Sequence, residues 1–252
     1  MGSLPARKKE IRFITPLRKN SDGNLYLSRL ETHGIDTTEP LANLTAEQLW
    51  NSAKEAYAIG KQLGKKVILM STSTGGTLSL KLASEFPEIN ALLLFSPNIA
   101  INDSKAWMLN NHWGLQIAEL LKGKYIHAKD TTAIFKQYWY QQFRTESIVQ
   151  LEELLEATMK ESTFKKITQP ALVLYYYKDE KNQDPVVKVT AIKRMFTQLA
   201  TPESMKRLVA VPEAGDHVIG SYIKSKDLKT VEDECEKFAV EILHLRQVAN
   251  DH

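Results

Sequence analysis

The sequence predicts an α/β protein in which a mostly parallel β-sheet is flanked by helices. Short apolar runs alternate with amphipathic helical patterns along the chain, and this alternation is typical of a parallel sheet covered on both faces. The chain has 252 residues, enough for one large domain with a substantial core. Hydrophobic residues make up 43% and charged residues 25% of it, as in an ordinary globular protein.

The first predicted elements are a strand and a helix. Residues 25–30 have the pattern of a strand, and Thr45 with Gln48 three residues later forms a capping box that opens the helix. We expect Gly64 to end this helix. Its apolar stripe follows steps of four and three residues: Leu49, Ala53, Ala56, Gly60 and Leu63.

Four further apolar runs predict buried strands, because continuous runs are typical of strands covered on both faces. They span residues 67–70, 91–95, 171–177 and 208–211. A helix is predicted from about Gly76, after the first of these runs. The last helix has an apolar stripe on which Cys235 is expected to be a buried structural thiol: Val231, Cys235, Phe238, Ile242 and Leu245.

One segment interrupts the alternation. Residues 97–169 have helical patterns without a convincing strand, and three of the four tryptophans lie there, at Trp107, Trp113 and Trp139. We therefore predict a helical cap insertion at 97–169, with the α/β core formed by residues 1–96 and 170–252.

The segment around Ser73 predicts a catalytic nucleophile. A buried strand runs into Ser71-Thr72-Ser73-Thr74-Gly75, and a helix follows. In a nucleophile elbow the serine occupies a strained strand-to-helix turn, and small residues two before and two after it let strand and helix approach closely. Here Ser71 replaces the first glycine of the G-x-S-x-G pattern. The alternative is a helix-capping or phosphate-binding turn, although neither common phosphate-loop pattern is present.

His217 is the predicted general base, since a serine hydroxyl needs a base and an orienting acid. It follows the last predicted strand, and elbow enzymes carry their residues in the order serine, acid, histidine. Asp179, Glu180 and Asp184 follow the strand at 171–177; we favour Asp184 over Asp179. Asp184 could also be only a helix N-cap before proline. The remaining histidines fit less well: His33, His112, His127, His244 and His252.

The elbow, the Asp184-Pro-Val-Val segment and the Ala-Gly-Asp-His217 segment resemble those of α/β-hydrolase carboxylesterases and monoacylglycerol-lipase-like enzymes. The resemblance covers the chain from about residue 25 to its end. It implies a triad of Ser73, Asp184 and His217, with 97–169 as the cap over an acyl pocket. The sequence departs from the family upstream, where we expect the usual first strands and oxyanion loop to be absent.

The predicted function is hydrolysis of carboxylic esters with apolar acyl groups, through an acyl-enzyme. The backbone N–H of Thr74 would supply one oxyanion donor, and neither a cofactor nor a metal is required. One alternative is a hydrolase-fold binding protein with little or no turnover, motivated by the missing oxyanion loop. A thioesterase or peptidase with the same triad is another alternative.

Charge and cysteine content limit the partners. The net charge of +3 is too small to indicate nucleic-acid binding, and the basic cluster at residues 7–12 is interpreted as a solvated tail. No membrane span or signal peptide is recognisable, and a single cysteine fits a reducing, cytoplasmic location. Met1-Gly2-Ser3 is typical of an expression-vector remnant, which leaves the natural N-terminus open. An unpaired sheet edge is compatible with a homodimer.

Overall fold

Four parallel strands form the central sheet. The structure, a computed structural model, describes residues 23–35 and 37–245. The sheet strands are β1 (Ile68–Thr72), β2 (Ala91–Phe95), β5 (Ala171–Tyr175) and β6 (Lys206–Ala210), and they lie side by side in that order. In register, Ile68 pairs with Ala91, Leu92 with Ala171, and Ala171 with Lys206. The predicted parallel α/β architecture is confirmed.

Helices connect the strands and cover both faces of the sheet. They are α1 (Ala46–Leu63), α2 (Thr74–Glu85), α3 (Gly114–Lys122), α4 (Ala133–Tyr138), α5 (Glu146–Thr158), α6 (Glu161–Phe164), α7 (Val189–Gln198) and α8 (Leu228–Glu241). Short 3₁₀ helices span Ala106–Asn110 and Glu203–Met205.

The core has two parts because successive strand residues point to opposite faces. On one face, β2 and β5 pack with α1, α2, α5 and α7 in a single apolar cluster. On the other face, Leu93 and Leu172 pack with α8 through Val231, Cys235 and Phe238. The buried position of Cys235 is confirmed, and helix α8 ends before the predicted stripe residues Ile242 and Leu245.

The start of α1 follows the prediction closely. The Thr45 hydroxyl accepts a hydrogen bond from the Gln48 backbone N–H, the Gln48 side-chain carbonyl accepts one from the Thr45 N–H, and Gly64 is the C-cap. The predicted apolar stripe is wrong at its end, since Tyr57 is buried while Leu63 is 42% exposed. The half-buried Val67 side chain packs beside Gly60 instead, so the last turn of the helix leaves Leu63 facing outward.

Segment 97–169 contains strands that the sequence pattern did not predict. β3 (Tyr125–His127) pairs antiparallel with β4 (Gln142–Arg144), and α4 lies in the connection between them. The prediction of a segment without strands is therefore wrong: three-residue strands are too short for a period-two pattern. The second half of the segment joins the main core, since Leu151, Leu155 and Phe164 pack in the same cluster as α1 and α2. The division into core and cap remains a prediction.

Strand β1 lies at the edge of the described sheet. The Ser73 N–H donates to the Phe95 carbonyl, so alternation directs the backbone groups of Ile68, Met70 and Thr72 away from β2. All five β1 residues are only half-buried, so the prediction of a strand buried on both faces is wrong. No described strand lies beside the outer edge of β1, and its residues therefore remain partly exposed.

The segment before α1 also departs from prediction. Residues 25–30 form no strand; Leu25 and Leu27 are half-buried and Tyr26 is exposed, an alternation typical of extended chain. The segment therefore has a strand's pattern without a described partner strand. The apolar run at 11–14, the basic cluster at 7–12 and the predicted absence of the first strands concern residues outside the described ranges.

Candidate active site

Ser73 occupies a strained turn between β1 and α2. Its backbone has φ 55° and ψ −119°, a left-handed conformation that costs a non-glycine residue about 1–3 kcal/mol and is concentrated at functional sites. Ser73 is also the N-cap of α2, yet its side chain makes no capping hydrogen bond. The interpretation of this turn as a simple helix cap is therefore wrong, and the hydroxyl is not used by the helix.

The turn requires small residues because strand and helix approach closely. A Cβ on Gly75 would lie 3.2 Å from the Cβ of Ser71, and one on Gly76 would lie 2.6 Å from the Cβ of Pro97. Ser71 fits in place of glycine because its hydroxyl accepts a hydrogen bond of 2.9 Å from Ser79 on α2. The serine that replaces the first glycine of the pattern thus connects β1 to α2 through this hydrogen bond.

Asp184 and His217 are in direct contact. The Asp184 Oδ2 atom lies 2.7 Å from Nδ1 of His217, and both residues are buried. The other carboxylate oxygen of Asp184 accepts hydrogen bonds from the backbone N–H groups of Val186 at 2.9 Å and Val187 at 3.0 Å. The carboxylate is therefore held on three sides, and it can fix the orientation of the imidazole.

The competing acids are engaged elsewhere. Asp179 accepts hydrogen bonds from the backbone of Lys181 and Asn182 and from the Asn182 amide, so it closes a turn in its own loop. Asp216 accepts from the Val218 N–H and does not orient the neighbouring ring. Of the two favoured candidates, the structure thus brings Asp184, and not Asp179, to His217.

Ser73 is not hydrogen-bonded to His217 in the structure. The Nε2 atom of His217 is buried and makes no hydrogen bond with any described residue. The loop that carries His217 nevertheless approaches the end of β2 beside the Ser73 turn: the Ser73 backbone N–H donates to the Phe95 carbonyl, and a Cβ on Gly220, three residues after His217, would lie 3.6 Å from the Phe95 ring. The acid–base contact is formed, whereas the base–nucleophile contact is not.

The Asp184 carboxylate is favoured in its charged form. Burial alone would raise its pKa, but the hydrogen bond and charge of His217, with the two backbone N–H groups, hold the pKa of Asp184 below its usual value. Burial also raises the pKa of the Cys235 thiol, which keeps this sulfur protonated and unreactive.

A salt bridge links segment 97–169 to the loop that carries His217. Lys224 Nζ lies 2.6 Å from the Asp130 carboxylate and 4.8 Å from the centre of the Phe135 ring, which stacks on Trp139. This bond and the Thr132 hydroxyl lower the pKa of Asp130 to about 2. Segment 97–169 is therefore in direct contact with the His217 loop.

The loop after β2 belongs to the same site, although the sequence pattern did not single it out. Ser96 has φ 42°, and both Ser96 and Asn98 are completely buried. Their side-chain polar atoms make no hydrogen bond with described residues. The available signal was a Ser-Pro-Asn sequence directly following the apolar run at 91–95.

Comparison with known proteins identifies the fold. No protein-family description and no curated protein sequence matches the chain. A structure of the metagenome-derived lipolytic enzymes LipS and LipT is similar with a TM-score of 0.66 and 16% identity, over 83% of this chain and 79% of that one. A Paleococcus ferrophilus monoacylglycerol lipase matches with TM-score 0.57 and 16% identity, over 78% and 76%. Est1E from Butyrivibrio proteoclasticus, solved with ferulic acid bound, matches with TM-score 0.51 and 18% identity, over 80% and 70%.

The chain therefore has the α/β-hydrolase fold, as the resemblance of its segments predicted. Among the described helices, none has the length and apolar character needed to cross a bilayer. Across residues 23–35 and 37–245, no group of three or more His, Cys, Asp or Glu side chains is arranged to hold a metal ion.

Proposed function

We propose that the protein is a serine hydrolase that cleaves carboxylic esters through an acyl-enzyme. The observation that carries the proposal is the strained Ser73 turn, whose hydroxyl is left unused by the helix that it precedes. The bonded Asp184–His217 pair supplies the acid and base that such a serine needs. The likeness to lipolytic enzymes and esterases agrees with this reaction class.

In the proposed reaction, the Ser73 oxygen attacks the ester carbonyl carbon while Nε2 of His217 takes the hydroxyl proton. The tetrahedral intermediate collapses, and the alkoxide leaves with that proton as an alcohol. Water then attacks the acyl-enzyme, with His217 again as base, and releases the carboxylic acid. Asp184 keeps the ring in the required tautomer and stabilises its charged form. Because Nε2 is not hydrogen-bonded to Ser73, a movement that brings these two atoms within hydrogen-bond distance must precede attack.

The Thr74 N–H is the proposed oxyanion donor. Thr74 is the first residue of α2, where the helix dipole places partial positive charge. Oxyanion holes generally combine at least two donors, and losing one costs about 10²–10³ in turnover. We expect slow turnover if Thr74 acts alone.

An apolar acyl group is the proposed substrate feature. The aromatic side chains of segment 97–169 divide into two sets: Phe135, Trp139 and Phe143 are buried, whereas Trp107 and Trp113 are 62% and 63% exposed. Part of the aromatic content thus serves the segment's own packing, and part remains available for an apolar ligand. The single, buried Cys235 agrees with a cytoplasmic location, which belongs to the same proposal.

The decisive experiment is active-site labelling with a fluorophosphonate, combined with a p-nitrophenyl ester chain-length series. We expect stoichiometric labelling at Ser73 and a loss of about 10⁶ in turnover for Ser73→Ala. Ser71→Ala is the matched control, because it removes a hydroxyl two residues away and should retain most activity. Labelling at Ser71, or an active Ser73→Ala enzyme, would refute the assignment.

A binding protein with little turnover is the second candidate. It is favoured by the unbonded Nε2 of His217. Absence of fluorophosphonate labelling in the wild type, together with saturable binding of an ester, would establish this alternative. Thioester and peptide substrates tested beside the ester series would distinguish a thioesterase or peptidase.

A further inference from the structure

The loop after β2 connects the nucleophile turn to the acid. We define residues 96–102 as the strap. At its first end, the Asn98 N–H donates to the Ser73 carbonyl at 3.0 Å. The completely buried Thr77 hydroxyl donates to the Asn98 carbonyl at 2.6 Å. Both bonds attach the strap to the turn that sets the Ser73 conformation.

The other end of the strap is bonded to the Asp184 loop. The Asn102 N–H donates to the Val186 carbonyl at 2.9 Å, and the Lys188 N–H donates to the Ala100 carbonyl at 2.9 Å. The Asn102 side-chain amide donates to the Asp184 carbonyl at 3.2 Å. One short segment is thus hydrogen-bonded to the backbone of both Ser73 and Asp184. The distance between these two residues must be correct for the proposed reaction.

We propose that the strap sets the position of Ser73 relative to the Asp184–His217 pair, with Thr77 and Asn102 as its positioning residues. This inference rests on the proposed hydrolase function and adds two residues that touch neither substrate nor reacting atoms. Strand pairing alone fixes β1 against β2 and β2 against β5. The strap extends this connection beyond the strand ends, where the functional side chains lie.

The composition of the strap supports a functional role. A buried amide without hydrogen-bond partners is unfavourable, and an apolar side chain of the same shape would avoid that cost. Asn98 and Ser96 nevertheless carry buried polar atoms without partners among the described residues. Ser96 adds a left-handed backbone. Unfavourable groups of this kind are uncommon in a loop selected for stability alone.

The test compares matched threonine substitutions. Thr77→Val preserves shape and removes the hydrogen bond to the strap. Thr201→Val is the control, because Thr201 is also buried and its hydroxyl donates to the Gln169 carbonyl at 2.8 Å, beyond the opposite end of the sheet. Both variants should lose similar thermal stability. Only Thr77→Val should lower kcat, by up to about 10²-fold with little change in KM, since a displacement of about 1 Å can cost that much.

Asn102→Ala removes one of the three hydrogen bonds at the other end, the side-chain bond to the Asp184 carbonyl. It should also lower kcat, and it should move the acid limb of the pH–rate profile, because Asp184 would stabilise the protonated imidazole less well. If both bonds act through one strap, the effects of Thr77→Val and Asn102→Ala on kcat should be clearly non-additive. Thr77→Ser should restore activity.

The same variants distinguish an error in the strap inference from an error in the hydrolase proposal. If Ser73→Ala is inactive while Thr77→Val and Asn102→Ala behave like Thr201→Val, the strap inference is wrong and the hydrolase proposal stands. If Ser73→Ala retains activity, the hydrolase proposal itself is wrong. Additive effects on kcat, with an unmoved pH profile, would also overturn the strap inference.

Discussion

Replacing Asp184 by asparagine separates the charge of the acid from its shape. The carboxylate accepts three hydrogen bonds, from His217 and from the N–H groups of Val186 and Val187. An asparagine can still accept from the two N–H groups through its carbonyl oxygen. The asparagine then presents its NH₂ group to Nδ1 of His217. This favours the tautomer that carries its proton on Nε2, although Nε2 must be unprotonated to accept the proton of Ser73.

The expected effects follow from that geometry. Exchanging a buried, charge-assisted hydrogen bond for a neutral one should reduce the free energy of unfolding by about 1–1.5 kcal/mol. For a chain of this size, that corresponds to about 2–6 °C in Tm. The wrong tautomer should lower kcat by about 10⁴, the size of the effect in other Ser-His-Asp triads. Ester hydrolysis and differential scanning calorimetry would measure both effects.

Asp179→Asn is the control, since it makes the same chemical change in the same loop. Asp179 closes its own turn and does not contact His217, so activity should stay within a few-fold of the wild type. Turnover by Asp184→Asn within tenfold of the wild type would refute the assignment of the acid. So would a large loss of activity in Asp179→Asn.

Three further outcomes are expected. Gly76→Ala should lower the free energy of unfolding in urea by about 1–3 kcal/mol and should also lower kcat, because the new Cβ would lie 2.6 Å from the Cβ of Pro97. A variant that is more stable than the wild type and fully active would contradict the close approach of α2 to the loop after β2. The folded pKa values of Asp184 and Asp130 lie below those of an unfolded chain, so the stabilisation from both carboxylates is present above the unfolded pKa of about 4 and is lost as the pH falls through their folded pKa values. A free energy of unfolding in urea that is no lower at pH 3 than at pH 6 would exclude this. If copies pair through β1, the outward-facing amides of Ile68, Met70 and Thr72 should exchange hydrogen more slowly as protein concentration rises, whereas concentration-independent exchange would argue against such a dimer.

The strand and helix order was predictable because each element has a local signature. The capping box at Thr45 and the completely buried run of β2 are local, and the structure confirms both. The exposure of β1 was not predictable, since an apolar run does not reveal whether a neighbouring strand is present. The antiparallel pair of β3 and β4 was missed because it joins residues 15 to 19 positions apart through strands of only three residues.

The candidate site was only partly predictable for the same reason. The turn at Ser73 has a local pattern of small residues, and His217 follows the last strand. The choice between Asp184 and Asp179 could be made only from the structure, because both residues follow β5 and both lie next to turns. The contact between Lys224 and Asp130 joins residues 94 positions apart, and no local pattern indicates it.

The parallel sheet explains why residues so far apart in sequence meet. Ser73 follows β1, the strap follows β2, Asp184 follows β5 and His217 follows β6, so all four come after the carboxyl ends of adjacent parallel strands. Ligands of open α/β sheets generally bind at this edge. A residue after any of these strands can therefore lie at the site even when no motif marks it. The loop after β2 is such a case, because in the strand order it lies between the nucleophile after β1 and the acid after β5.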